Sequence, residues 1–215
     1  MDAGSEEREH RAFERFLLFT DGVMAIAVTL LILPVVDAAL DLESRDRTVI
    51  DLLGDLRGEL LGFLLGFAVI VVMWLAHQRV FSSVAWPNAW IVRLNVLWLL
   101  SITLLPFTTA LIADHGDEQA TVLLYVGNIA LGIFSLGAVT LVKTLSPHLL
   151  LPNAAITDDD RLGAIANCVL ISVAFILAAL FPGLGFTVML LMLLDGPLTR
   201  MLRRRNATLT EPGDA

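Results

Sequence analysis

Four stretches of this sequence run for about 20 residues or more without Asp, Glu, Lys or Arg: Leu60–Gln78, Leu94–Ala113, Gln119–Val142 and Leu162–Leu194. In hydrocarbon every backbone polar group must be satisfied inside the chain, and a helix needs about 20 apolar residues to cross. Such runs restrict the chain to a bundle of membrane-spanning helices. A further run, Phe16–Val36, is interrupted only by Asp21. The longest run holds Pro182-Gly183, a pair that ends one helix and frees the next. It divides into Leu162–Phe181 and Leu184–Leu202, the latter carrying Asp195, Pro197 and Arg200. The expected fold is therefore an all-α integral membrane protein with six transmembrane helices per chain. Residues 1–15 read as a cytoplasmic N-terminal segment, 16–202 as the six-helix transmembrane domain and 203–215 as a cytoplasmic basic and polar tail. The polar stretch 1–9 is expected to be loose.

Composition agrees with a bilayer protein and excludes other classes. Apolar residues make up 57% of the 215 and charged residues 17%, against about 45–50% and about 25% in soluble domains. A net charge of -8 argues against a nucleic-acid partner. Cys168 is the single cysteine, so no disulfide framework is available. No H-E-x-x-H, Ser/His pair or carboxylate cluster at one depth suggests an enzyme, and no cofactor is expected. With both termini in the cytoplasm, 11 of the 14 basic residues fall inside, which is the favoured bias. The acidic surplus then falls on the outer loops, where it would raise the local cation concentration.

The first span has two distinct faces. With Ile26 at zero on a helical wheel, Gly22, Thr29, Leu30 and Leu33 fall within about 60° of it. Thr20 and Asp21 fall about 120–140° away. The stripe is either an ordinary aliphatic face or a functional one. Asp21 is a costly residue in a span and is expected to face the bundle interior, as an ion pair with Arg15 or another base. Trp74 and His77 share a face of the second span, with Phe81 one turn on, and Asn95 opens the third just after Arg93. A network of Arg15, Thr20, Asp21, His77 and Asn95 is possible near the cytoplasmic ends, and it would lock three helices together. His77 could alternatively serve as a proton sensor.

The first span resembles that of the transmembrane protein 175 family of potassium channels, found in bacteria and in animal lysosomes. The family's mark is Arg, three residues, then Phe-Ser-Asp. Here it stands as Arg15-Phe-Leu-Leu-Phe19-Thr20-Asp21, with threonine in place of serine. Trp74-x-x-His77-x-x-x-Phe81, Arg93-Leu-Asn95 and Leu104-Leu-Pro-Phe107 are also family-like. The likeness thus covers three spans with specific motifs, and one six-helix unit per chain looks like the bacterial form.

The resemblance implies a homotetramer in a lipid bilayer whose first helices line a central pore. Ile26 would be the narrow point, Leu30 and Leu33 further apolar rings, and Thr29 the layer bearing on potassium selectivity. Potassium would pass near Ile26 and Thr29. Arg15, Thr20, Asp21, Trp74, His77 and Asn95 would form the supporting polar network. The implied location is the inner or plasma membrane. The chain has no Thr-Val-Gly-Tyr-Gly filter, so modest selectivity and gating by dewetting at an apolar ring are expected. The alternative is a secondary or proton-coupled transporter of small cations, whose marks are broken mid-membrane helices and central ionisable groups.

Overall fold

The structure is a computed structural model and describes residues 3–42, 48–116 and 118–181. The expected span Leu184–Leu202 and the tail 203–215 lie outside the described residues. Among the described residues seven α-helices follow one another: α1 (Ala3–Leu30), α2 (Leu33–Leu42), α3 (Val49–Asp55), α4 (Arg57–Phe81), α5 (Ala89–His115), α6 (Gln119–Leu145) and α7 (Asp158–Leu180). Five continuous apolar stretches among them are long enough to cross a membrane, the first of them running through α1 and α2.

Local chemistry explains the helix boundaries. Asn88 caps α5, its Oδ1 accepting from Ile91 N at 2.9 Å. Thr157 and Asp160 form a reciprocal capping box at α7, and Thr48 and Asp51 do the same at α3. Leu151 N donates to Ser83 O and Ala85 N to Leu149 O, which ties the loop after α4 to the loop after α6. The N-terminal stretch departs from its expected looseness, because α1 begins at Ala3. The i,i+4 pairs Glu7–Arg11 (3.1 Å) and His10–Glu14 (3.5 Å) lie along this first part of the helix.

The first span is also not one continuous helix. Its α-helix stops at Leu30, turns through Leu31–Ile32 and restarts at Leu33. Pro34 is the cause. It lacks the N–H that would bond Leu30 O, and its ring crowds that carbonyl.

α6 is the hub of the fold, packing on α5, α7 and α4, and is the most buried of the five spanning elements. Its small residues permit this. A Cβ at Gly132 would stand 2.3 Å from Met73 Cε and 2.5 Å from Ser101 Oγ, and one at Gly137 would stand 2.7 Å from Cys168 Sγ. On α4, Gly66 gives room to Leu31 and Thr109, where a Cβ would approach to 3.0 Å. Without a hydrophobic drive between helices in lipid, such close backbone approach is a main source of packing energy. Gly132→Val should therefore lower stability by about 1–3 kcal/mol through overpacking. A thermal melt of the purified protein in detergent checks this, and an unchanged melt would remove Gly132 from the tight contact.

Candidate pore helix and its polar anchor

α1 packs on the bundle by one face only, against α5 and α4. Phe13, Thr20, Ala27 and Leu31 are buried, and Leu31 lies in the turn just beyond the helix. On the wheel these positions cluster about 100–140° from Ile26. The opposite face is bare in the subunit: Ile26 is 61% exposed, and Gly22, Thr29, Leu30 and Leu33 are exposed with it. Ile26, Thr29 and Leu30 belong to α1, whereas Leu33 lies beyond the break, at the start of α2. The Thr29 hydroxyl donates to Ile26 O at 2.8 Å, so its lone pairs face away from its own backbone.

Two separate hydrogen-bond sets anchor the buried face. In the first, Asn95 Nδ2 donates to Thr20 Oγ1 at 2.8 Å, and Thr20 Oγ1 donates to Phe16 O at 3.0 Å. Asn95 Oδ1 stands 2.7 Å from His77 Nε2. Because Oδ1 can only accept, Nε2 carries the proton. Thr20, His77 and Asn95 are 1%, 1% and 0% exposed. The His77 ring lies against Phe81 (4.3 Å between centroids) and Trp98 (4.2 Å). This set joins α1, α4 and α5.

In the second set, Asp21 Oδ1 accepts from Trp74 Nε1 at 3.1 Å and from Gln78 Nε2 at 3.0 Å. It joins α1 to α4 alone. Neutral donors thus take the place of the ion pair expected for Asp21. Arg15 is exposed, and among the described residues no hydrogen bond or ion pair links it to either set. The five-residue network is therefore divided: Thr20, His77 and Asn95 fall in one set, Asp21 in the other with Trp74 and Gln78, and Arg15 in neither. Sequence reasoning missed Gln78 and Trp98. Both were within reach of spacing arguments: Gln78 is one turn after Trp74, and Trp98 is three residues after Asn95.

This arrangement fixes one helix face by amide, hydroxyl and indole groups while leaving the other free. Residues 15–106, the segment holding both sets, match the family model described as endosomal/lysosomal potassium channel TMEM175. Over these residues the chain is similar to the TMEM175 family. It is 33% identical over 125 residues to a potassium channel of Chamaesiphon minutus, covering 57% of this chain and 61% of that one. It is 31% identical over 118 residues to a potassium channel of Streptomyces collinus, covering 55% and 53%. It is 30% identical over 141 residues to the human endosomal/lysosomal proton channel TMEM175, covering 65% of this chain and 27% of that one. The chain thus spans about a quarter to three-fifths of the length of these curated relatives. Among solved structures, a lysosomal potassium-selective channel TMEM175 homolog from Chamaesiphon minutus superposes with a TM-score of 0.68 at 26% identity, covering 86% of this chain and 97% of that one. The T38A variant of the potassium channel MtTMEM175 shares the fold, with a TM-score of 0.56 at 19% identity over 90% and 93%.

Proposed function

We propose that this chain is a potassium-permeable cation channel of the TMEM175 family in which four copies of α1 surround a central pore. The observation that carries the reading is the bare α1 face. An exposed stripe on a helix anchored from behind is what a pore-lining helix needs. Ile26 and Leu30 supply apolar rings, and Leu33 supplies another beyond the Pro34 break. Such a ring empties of water when narrow and blocks ions, and slight widening lets it wet. Thr29 supplies the hydroxyls nearest to the Ile26 ring. Both termini face the cytoplasm of a cell membrane in this reading, as the distribution of basic residues favours.

Purified protein in liposomes with a potassium gradient tests the activity. Potassium flux with a smaller sodium flux is expected, and no flux under either gradient would overturn the channel. A pH-sensitive dye in the same vesicles tests proton permeation, the activity named for the human relative. Thr29→Ala should shift the reversal potential under mixed potassium and sodium. An unmoved reversal potential would take Thr29 out of the selectivity layer.

A further inference from the structure

Leu31 lies where α1 breaks, in the turn between Leu30 and Leu33. It is 3% exposed, whereas Leu30 and Leu33 are 41% and 48% exposed. Leu31 therefore points into the bundle while its neighbours point away from it. Ala27 and Val35, four residues before and after, are buried on the same side.

Leu31 fills a notch in the wall behind it. A methyl group at Gly66 of α4 would stand 3.0 Å from Leu31 Cδ2, 3.0 Å from Thr109 Cγ2 and 3.2 Å from Thr109 Oγ1. Carbon atoms in contact prefer about 3.5–4.0 Å, so the notch has no room for one more carbon. Gly62, one turn away on α4, differs: a Cβ there would meet Ala113 Cβ at 3.6 Å, an ordinary contact.

The two walls of the notch are not equally stiff. Thr109 is 4% exposed and belongs to α5, which packs on α1, α4 and, most extensively, α6. Close-packed interiors of that kind transmit strain instead of absorbing it. The corner at Leu31 has less behind it. Leu30 and Leu33 are bare, and Pro34 has removed the helical bond to Leu30 O. Extra volume in the notch therefore pushes the α1–α2 corner toward the bare face, by a few tenths of an ångström for one methyl group.

We propose that the fit of Leu31 against Gly66 sets the width of the pore, by fixing how far the Leu30 and Leu33 rings stand from the axis. Gly66 and Leu31 are positioning residues, acting on the conduction path only through this corner. The inference rests on the reading of the bare face as pore lining. A displacement in each subunit counts twice across the axis, and wetting of an apolar constriction depends steeply on its width.

Single-channel recording in planar bilayers tests this. A residue that only holds the fold changes the number of working channels, not the current through each. Gly66→Ala should lower unitary potassium conductance at least about threefold through poorer wetting. Leu31→Val shortens the side chain in the notch and should raise it. The two together should return it to within about twofold of wild type. Gly62→Ala, where a methyl group fits, should leave it unchanged. Should Gly66→Ala give no channels, the rise in Leu31→Val decides. Wild-type unitary conductance in either single variant would overturn the proposal, as would a loss in Gly66→Ala that Leu31→Val does not reverse. Ile26→Cys in a Cys168→Ser background, treated with a charged thiol reagent, separates the two readings. Block by the reagent, with conductance indifferent to residues 66 and 31, overturns the notch alone. Current untouched by the reagent removes the pore from this face, and this inference with it.

Discussion

Ile26→Asn should raise potassium conductance about tenfold, equal to about 1.4 kcal/mol off the barrier to permeation. The physical reason is wetting. In the proposed pore four isoleucines facing one axis would offer water no hydrogen bond, so a narrow neck would empty and an ion would have to shed its hydration to cross. An amide at that level offers donors and acceptors that hold water in the neck. Ile26 projects from the bare face of α1 and contributes nothing to the buried face, so the change leaves the anchor intact. The effect should thus appear in current per channel at equal expression, with the thermal melt unmoved. Single-channel recording in planar bilayers checks it. Unchanged current at equal expression would remove Ile26 from the constriction.

Asn95→Leu should lower stability by cutting the link that ties α1 to α4. Asn95 is the link between Thr20 on α1 and His77 on α4, and it is fully buried. Its loss leaves the His77 Nε2 proton without an acceptor, while Thr20 keeps its own bond to Phe16 O. A buried group stranded in this way costs about 1–3 kcal/mol. Interhelical hydrogen bonds in membranes measure nearer the lower end, because the unfolded chain also finds partners. A fall in melting temperature is therefore expected for Asn95→Leu. Thr20→Ser retains the hydroxyl and should melt within about 1 kcal/mol of wild type. Equal melting of the two variants would mean that the hydroxyl–amide–imidazole chain does not hold α1 in place.

The separation of the two α1 faces was legible in the sequence, because helical geometry places Thr20 and Ile26 on different sides whatever surrounds them. The structure buries the Thr20 side and leaves the Ile26 side bare. The partition of polar partners was less legible. Spacing along one helix shows that Trp74, His77 and Gln78 point broadly the same way. It does not show that α1 presents Asp21 to the first and third while α5 presents Asn95 to the second. Arg15 shows the limit of motif reading: it stands in the family pattern, yet its side chain is exposed. The Pro34 break was visible as a residue but not as an interruption of the stripe, which is why Leu33 shared a wheel with Ile26. The burial of Lys143 gave no local signal, since Val80 O, which accepts from its Nζ, is 63 residues away.

Modification of one introduced thiol tests the pore face most directly. In a Cys168→Ser background the chain has no other cysteine, so Ile26→Cys carries the sole reactive group. A water-soluble, positively charged thiol reagent added to flux-competent liposomes reaches that position only through water. If the α1 stripe lines the conduction path, the reagent should abolish potassium flux in Ile26→Cys and leave the Cys168→Ser parent unaffected. Mild oxidation should also cross-link Ile26→Cys subunits into dimers. Flux that is untouched by the reagent, in protein that mass analysis shows to be modified at residue 26, would contradict the assignment of the pore to this face.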